Sequence, residues 1–350
     1  MMGYSRVAVV GATGLVGLEL LSILEKRPGE INRLKLYASD RSVGRTLWFR
    51  GRPVPVEPVE KIDCRGLDVA FFMAGAEVSL AYVPKVREAG ALVIDNSSAY
   101  RRDPAVPLVV PECNPRAISG HGGLIANPNC TVVQIVVGIK PIYEISPIRR
   151  LVVSTYQSIS GAGREELERL VRDTRGYMER GGGSRPASPP ERSLDRAAGE
   201  DFGMAFDLRP GIDRLLEDGM YFEEEKILVE TRKIFGDDEI RITATSVRVP
   251  VLRGHSISAC METEGQVDLS EAEGALRRAP GVKFMGWGED LSSLSPAAVA
   301  GKDYVVVGRL RRDRHSDNGL LMWIVADNLR KGAALNAVQI ADMAFDVKSA

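Results

Sequence analysis

Cys130 lies in Asn127-Pro128-Asn129-Cys130-Thr131, where an apolar strand, Gly123-Leu124-Ile125-Ala126, turns into an apolar helix predicted over Thr131 to Ile142. A thiol at a helix start faces unpaired backbone N–H groups and the positive end of the helix dipole, both of which favour the thiolate. Asn-Pro is a turn dipeptide, and Asn129 suits the N-cap of the helix that follows. A sulfur at such a corner is nucleophilic and reachable. Free cysteines are more often small buried hydrophobes, so the assignment needs partners elsewhere in the chain. A catalytic cysteine calls for a distant histidine, and the chain has three: His121, His255 and His315. His121 and His315 stand beside Gly and Asp in turn-like stretches and read as solvated loop positions, while His255 opens a strand, where a lone histidine is most often a satisfied surface or core group.

The second motif with chemistry is Gly11-Ala12-Thr13-Gly14-Leu15-Val16-Gly17. It follows a buried strand (Arg6 to Val10) and opens a helix (Leu15 to Lys26). Glycines there permit a tight turn and let backbone N–H groups approach a pyrophosphate, while the helix packs closely on the sheet. The choice of dinucleotide falls to Ser39-Asp40-Arg41-Ser42 at the end of the second strand. Asp40 suits a ribose 2′-hydroxyl and hence NAD; Arg41 with Ser42 suits a 2′-phosphate and hence NADP. Spacing alone leaves both open.

The elements that position these motifs fall into two groups. Strands at Arg6–Val10, Leu34–Tyr37, Asp68–Met73 and Ala91–Asp95 alternate with helices at Leu15–Lys26 and Glu77–Glu88, a βαβ rhythm that implies a parallel sheet covered on both faces. Beyond Cys130 the strands lengthen: Arg149 to Gln157, Glu239 to Arg248 and His255 to Glu264. With helices at Glu165–Arg175, Phe222–Ile234 and Ser270–Arg278 they imply a larger antiparallel or mixed sheet. Arg180 to Asp201 is Gly, Pro, Ser and charge with few large apolar residues, and reads as a mobile excursion. Leu329 to Val347 has small and apolar residues at helical spacing, a close-packing helix.

The 350 residues suggest about two domains. At 44% hydrophobic and 27% charged the composition is that of a soluble globular protein, and a net charge of −1 gives no electrostatic case for nucleic acid or anionic membrane. No apolar run approaches the ~18 residues of a membrane span. The first residues lead directly into a strand without a signal peptide. Cys64, Cys113, Cys130 and Cys260 are scattered without metal-ligand spacing, so a metal site is not expected and the thiols read as those of a reduced, cytoplasmic protein.

Taken in order, these motifs resemble aspartate-β-semialdehyde dehydrogenase along nearly the whole chain. To the two above are added Asp95-Asn96-Ser97-Ser98-Ala99-Tyr100-Arg101, Ser154-Thr155-Tyr156-Gln157-Ser158-Ile159-Ser160-Gly161-Ala162-Gly163, Arg248-Val249-Pro250-Val251-Leu252-Arg253-Gly254-His255-Ser256 and Asp327-Asn328-Leu329-Arg330-Lys331-Gly332-Ala333-Ala334. The resemblance implies an α/β fold: a Rossmann parallel-sheet domain over 1–129 and 328–350, to which the C-terminal helix returns, and an α+β domain of glyceraldehyde-3-phosphate-dehydrogenase-like type over 130–327. It implies NADPH-dependent reductive dephosphorylation of L-4-aspartyl phosphate to L-aspartate 4-semialdehyde, in the pathway to lysine (through diaminopimelate), threonine and methionine, by a homodimer or homotetramer.

The resemblance also implies roles. Cys130 is the nucleophile, His255 the acid/base and Gln157 the residue that orients the acyl intermediate. Arg248 binds the substrate carboxylate, Glu223 its amine, and Arg101 with Lys226 the phosphate. Arg41 and Ser42 match the 2′-phosphate segment and tip the cofactor to NADP. Gly11, Thr13, Gly14, Leu15, Val16, Gly17, Ser160, Gly161 and Asn328 complete its site. Without the resemblance, Glu223 and Lys226 at i, i+3 read as a surface ion pair. Two rivals differ in one feature each. N-acetyl-γ-glutamyl-phosphate reductase runs the same chemistry on a substrate one carbon longer, and usually has Gly where Asn129 stands. A catalytically silent NADP-binding homologue would have no reason to keep Cys130, Gln157, Arg248 and His255.

Overall fold

The computed structural model describes residues 3–179 and 204–347. The Gly/Pro/Ser-rich stretch from Arg180 to Asp201 lies outside them, and with it the expectation of a mobile excursion. The first group of elements is β1 (Arg6–Val10), α1 (Leu15–Lys26), β2 (Arg33–Ala38), β3 (Thr46–Phe49), β4 (Arg52–Pro58), β5 (Val69–Phe72), α2 (Ala76–Glu88), β6 (Leu92–Asp95) and β7 (Leu124–Ala126). They make one sheet in the order β3-β4-β2-β1-β5-β6-β7, parallel throughout except that β3 runs antiparallel to β4. β5 and β6 are buried along their whole length, as continuous apolar strands of a covered parallel sheet must be. β3 and β4 escape the sequence reading because Pro53, Pro55 and Pro58 remove ladder donors and mute the strand signal.

From β1 the chain crosses to β2 on one side, and β5 pairs on the other, so a crevice opens at the C-terminal end of β1. The glycine loop fills that corner. Gly11 has φ +81°, and a Cβ there would lie 2.5 Å from the Met73 carbonyl oxygen. A Cβ on Gly17 would lie 2.2 Å from the Gly11 oxygen, so glycine is what lets α1 pack this close to the strand.

The second sheet contains β8 (Ile148–Gln157), β9 (Arg209–Pro210), β10 (Arg241–Arg248), β11 (His255–Thr263), β12 (Val282–Met285), β13 (Val305–Arg312) and β14 (Gly319–Ala326), in the order β12-β13-β14-β11-β8-β10-β9. It is mixed: β8–β10 and β12–β13 are parallel pairs and the others antiparallel. β13 and β14 were not read from the sequence although Val305-Val306-Val307 and Leu320 to Ala326 carry the apolar runs of buried strands. In β13 the register shifts between Gly308 and Arg311, with Arg309 at φ +55°, and this bulge breaks the alternation that would mark a strand.

Between the sheets runs α3 (Cys130–Ile145), buried from Thr131 through Ile139 on every side. That explains its apolar character all round, since it packs against the helices Phe222–Phe235 and Leu269–Arg278 and against β8, β11, β13 and β14 of the second sheet. Its buried Val and Ile side chains contribute roughly 1.5–3 kcal/mol each, which makes α3 a rigid base for whatever sits at its first residue. The other helices are α4 (Arg164–Tyr177), α5 (Phe222–Phe235), α6 (Leu269–Arg278), α7 (Pro296–Val299) and α8 (Leu335–Val347).

The C-terminal helix expected over Leu329 to Val347 is present, and its first turn is of π type: Arg330 to Ala334, with the Gly332 N–H on the Asp327 carbonyl and the Ala334 N–H on the Leu329 carbonyl, lead without a break into α8. Gly332 packs against Cys130, where a Cβ would come within 3.1 Å of the Cys130 Cβ. Ala337, Val338 and Ala341 of α8 share a core with Val7, Leu20 and Phe71 of the first sheet and α1.

Candidate active site

Everything at the site is referred to Asn129. Its side-chain oxygen accepts the N–H groups of Thr131 (2.8 Å) and Val132 (3.3 Å), which starts α3 at Cys130. That orientation aims the amide nitrogen at Glu223, at 3.1 and 3.2 Å from its two oxygens. The Asn129 backbone N–H donates to Glu230 Oε2 at 2.7 Å. Glu223 and Glu230 lie seven residues apart on α5 and both face inward.

Three strand ends supply the rest. Gln157 closes β8 and Arg248 closes β10, and the two are register partners in that parallel pair. His255 opens β11 beside them. Cys130 Sγ is 3.4 Å from His255 Nε2. The cleft they line has a volume of about 400 Å³ and also receives Arg101, Glu223, Lys226, Ser160, Gly161, Asn328 and Val16. All seven catalytic and substrate-binding candidates except His255 line it directly, and His255 touches the sulfur that does.

The geometry changes how several of these residues can act. Glu223 and Lys226 are a buried pair rather than a surface one: Glu223 is 4% exposed and meets Lys226 Nζ at 2.9 Å. Burial raises the Glu223 pKa, but Lys226 and the hydrogen bonds from Lys226, Gln157 and Asn129 outweigh it and hold the carboxylate below its ordinary value. Lys226 also meets Asp213 at 2.9 Å, which leaves one ammonium N–H for a ligand. Arg101 gives Nε to the Asn127 carbonyl, Nη1 to Glu230 (3.3 Å) and Nη2 to the Asn96 carbonyl, so its remaining N–H groups serve the cleft. Gln157 donates Nε2 to Glu223 (3.0 Å) and to Thr155 (3.3 Å). An ionised carboxylate can only accept, so the amide is oriented and its free end is the carbonyl oxygen.

Burial also corrects the expectation of a thiolate at rest. It pushes the Cys130 thiol up to about 11, with the Glu223 charge adding to it and Arg101 and Arg248 pulling against it. The same burial, with Arg248 beside it, pushes His255 down to about 3. The resting pair is therefore thiol and neutral imidazole.

The predicted nucleotide residues divide between two clefts. A second cleft of about 640 Å³ holds Gly11, Thr13, Gly14 and Arg41, together with Asp40. Val16, Ser160, Gly161 and Asn328 stand in the catalytic cleft instead. Leu15, Gly17 and Ser42 line neither. Leu15 starts α1, Gly17 packs under Gly11, and the Ser42 hydroxyl accepts from Thr13 at 3.0 Å. The N-cap of α1, Gly14, has no side-chain cap, which leaves helix N–H groups to face the cleft. Those donors and the glycine corner fit a pyrophosphate. Asn328 Oδ1 accepts the Gly254 N–H (2.9 Å) and the hydroxyls of Ser158 and Ser160 (3.2 and 3.1 Å), tying the second domain's site loops together. Glu19 of α1 meets both Arg253 and Arg330 at 2.7 Å, which fixes the glycine helix against the loop that leads into β11 and against the π-turn before α8.

Sequence reasoning missed Glu230 and Ser158. A signal for Glu230 existed, since it follows Glu223 by two helical turns on the same face. Ser158 carried none beyond its place next to Gln157. Among the described residues no cluster of His, Cys, Asp and Glu could hold a metal, and no helix is long and apolar enough to cross a membrane.

Known proteins match along the whole length. A family model described as the NAD binding domain of semialdehyde dehydrogenase matches residues 6–121, and one described as its dimerisation domain matches 139–331. The aspartate-semialdehyde dehydrogenase of Aquifex aeolicus (strain VF5) is 46% identical over 345 residues, covering 98% of each chain. That of Synechocystis sp. is 43% identical, covering 97% of this chain and 96% of the relative. The crystal structure of aspartate semialdehyde dehydrogenase II from Vibrio cholerae, complexed with ASA, superposes with a TM-score of 0.89 at 38% identity and covers 99% of both chains. The two-domain α/β architecture, the dinucleotide corner and these full-length matches together show that the chain belongs to the aspartate-semialdehyde dehydrogenase family.

Proposed function

We propose that this protein catalyses the NADPH-dependent reductive dephosphorylation of L-4-aspartyl phosphate to L-aspartate 4-semialdehyde, on the route to lysine, threonine and methionine. The observation that carries the reading is the 3.4 Å approach of Cys130 Sγ and His255 Nε2 at the mouth of α3, in a cleft continuous with dinucleotide-binding residues. Cys130 attacks the acyl phosphate, forms a thioester and releases inorganic phosphate. A bound reduced nicotinamide would supply hydride to the thioester carbon, whose carbonyl oxygen would then carry the negative charge of a thiohemiacetal. The Cys130 backbone N–H is left free by the Asn129 cap and suits that oxyanion, with His255 as its proton-managing partner.

The charges of the cleft suit a substrate negative at both ends. Arg248 is the carboxylate ligand in this reading, and Arg101 with Lys226 receive phosphate through the N–H groups left over from their internal pairs. Glu223 and the free carbonyl of Gln157 stand where an ammonium would be welcomed, so Gln157 serves the amine as well as the acyl group. Arg41, with Ser42 next to it in the chain, is the basis for preferring NADP over NAD.

In the same reading, residues 1–129 with 328–350 serve the dinucleotide and 130–327 serve catalysis and self-association. The match to a dimerisation domain supports a homodimer or homotetramer. So does the outer face of the second sheet, where Tyr156, 38% exposed, leans on Trp323 at 5.7 Å. The four cysteines are free, which suits a reduced cytoplasm. The test is phosphate-dependent reduction of NADP by L-aspartate 4-semialdehyde. No turnover with that aldehyde and phosphate would overturn the assignment.

A further inference from the structure

Glu223, Lys226, Glu230 and Lys233 follow one another along α5 at spacings that place all four charges in one stripe of the helix. Glu223 and Lys226 line the cleft, and Glu230 holds the Asn129 N–H and Arg101. Lys233 faces the turn that begins at Arg101. Its Nζ lies 2.9 Å from the carbonyl oxygen of Arg101, 2.6 Å from that of Asp103 and 2.8 Å from that of Val106. An ammonium has three N–H groups and no acceptor, so all three are occupied by this turn and none is left for a ligand.

The turn has few other supports. Residues 101–106 lie in no helix or strand. The Val106 N–H donates to the Asp103 carbonyl at 3.1 Å, and the Asp103 side chain accepts the Ala105 N–H at 2.9 Å. Pro104 has no N–H to give. Without the ammonium, three carbonyl oxygens would face one point with no donor between them, and the turn would open to admit water.

Arg101 starts that turn and reaches from it to the cleft. Its guanidinium donates to the Asn127 carbonyl, Glu230 and the Asn96 carbonyl. Five N–H groups less these three leave two, one on each Nη. Glu230 and Lys233, one helical turn apart, therefore hold Arg101 at both ends, the acid on its guanidinium and the ammonium on its carbonyl.

We propose that Lys233 is a positioning residue for the phosphate end of the cleft, clamping the turn from Arg101 to Val106 so that the guanidinium presents its two spare N–H groups to phosphate. The inference rests on the proposed function and deepens it, since Arg101 is the phosphate ligand in that reading. Lys233 acts through Arg101 and is not itself catalytic. Arginine cannot replace it, because a planar fork does not converge three donors on one point.

The experiment is a double-mutant cycle in the full chain, read in the reduction of NADP by L-aspartate 4-semialdehyde and phosphate. Lys233→Met should raise KM for phosphate about tenfold and leave KM for semialdehyde and for NADP within about twofold. In an Arg101→Ala background the same substitution should change KM for phosphate by less than about twofold, because its route to phosphate is already cut. An unchanged KM for phosphate, an equal rise in all three KM values, or an equal effect in both backgrounds overturns the proposal. If Lys233→Met does not fold, Lys233→Arg carries the cycle, with a rise of about threefold expected in the wild-type background and none beside Arg101→Ala. A wild-type KM for phosphate in Lys233→Arg then counts against the clamp.

Equilibrium binding of inorganic phosphate to the same proteins needs no turnover, and the KM cycle decides wherever turnover occurs. A wild type that does not turn over, yet binds phosphate in a manner that Arg101→Ala and Lys233→Met both weaken, overturns the proposed function and upholds the clamp. Turnover with phosphate use indifferent to Lys233→Met overturns the clamp alone. A wild type that neither turns over nor binds phosphate overturns both.

Discussion

The Glu230 carboxylate accepts the backbone N–H of Asn129 at 2.7 Å, so a buried acid on α5 fixes the residue immediately before Cys130. Its other oxygen takes Arg101, the cation nearest the phosphate end of the cleft in the proposed function. One carboxylate therefore couples the nucleophile's helix start to an anion-binding guanidinium. Glu230→Ala would strand the buried Arg101 charge and the Asn129 N–H. It should cost about 3–5 kcal/mol of stability, the range for breaking one side of a buried ion pair. Denaturant melts check this, and a loss under about 1 kcal/mol would mean that water readily replaces the acid.

The two acids of α5 should give opposite pH dependences. Glu230 is raised by burial in spite of Arg101 and the Asn129 N–H, so its contribution is complete below the unfolded glutamate value of 4.5 and is lost as pH rises through its higher folded value. Glu223 is held low on balance, so its contribution is present above 4.5 and is lost as pH falls through its lower folded value. Relative to wild type, Glu230→Gln should therefore gain in Tm as pH rises from about 4 to about 7, while Glu223→Gln should lose. Melting curves of the three proteins across that interval check the signs, and matching slopes for both variants would contradict the assignment of the two environments.

Cys130→Ala should abolish turnover and leave nucleotide binding and Tm close to wild type. The sulfur is needed to form the thioester, whereas the glycine corner is built by Gly11, Gly14 and Gly17 on the other sheet. Rapid-quench and equilibrium binding measurements separate these two effects. Residual multiple turnover in the alanine variant would mean that the acyl group is not transferred to Cys130.

How much of this was readable beforehand depends on how local each signal is. The corner at Gly11–Gly17 and the cap at Asn129 are local, and their residue types announced turn, helix start and ligand in a few positions. His255 and Arg248 were found because their strands end in distinctive motifs. Burial was not local. Glu223 and Lys226 resemble a surface pair at i, i+3, and only the packing of α5 against α3 and β10 removes them from water. The same packing reverses the expectation for the sulfur, since a helix dipole worth about 0.3–1 kcal/mol cannot offset the desolvation of a thiolate. β13 was hidden by its bulge and β4 by its prolines, two cases where a tertiary neighbour tolerates what a sequence pattern forbids.

Arg248→Lys should raise KM for the semialdehyde by roughly tenfold or more while leaving Tm little changed, because an ammonium cannot make the planar two-bond contact with a carboxylate. In the structure Arg248 Nη1 is already spent on the Ser158 carbonyl at 2.8 Å, which orients the guanidinium and leaves its other edge for the ligand. The same contact places Arg248 beside the loop that holds His255. A fall in kcat with KM unchanged would assign Arg248 to positioning that loop instead.

The cofactor preference turns on Arg41. Its guanidinium reaches Glu165 of α4 at 3.0 Å, and both side chains are more than four-fifths exposed, so the pair is solvent-screened and contributes little by itself. A 2′-phosphate arriving in the neighbouring cleft can therefore recruit Arg41 at small cost, whereas Asp40 on the same short turn repels it. Arg41→Ala should weaken NADPH binding by about 1.5–3 kcal/mol, the scale of a hydrogen bond to a charged group, and leave NADH almost unaffected. Asp40→Ala should improve NADPH use, and Glu165→Ala should do so more weakly by freeing Arg41. The deciding measurement is kcat/KM with both nucleotides for wild type and the three variants. A wild type that prefers NADH, with an Arg41→Ala variant indifferent to the 2′-phosphate, would make Asp40 the ribose ligand and the enzyme NAD-dependent.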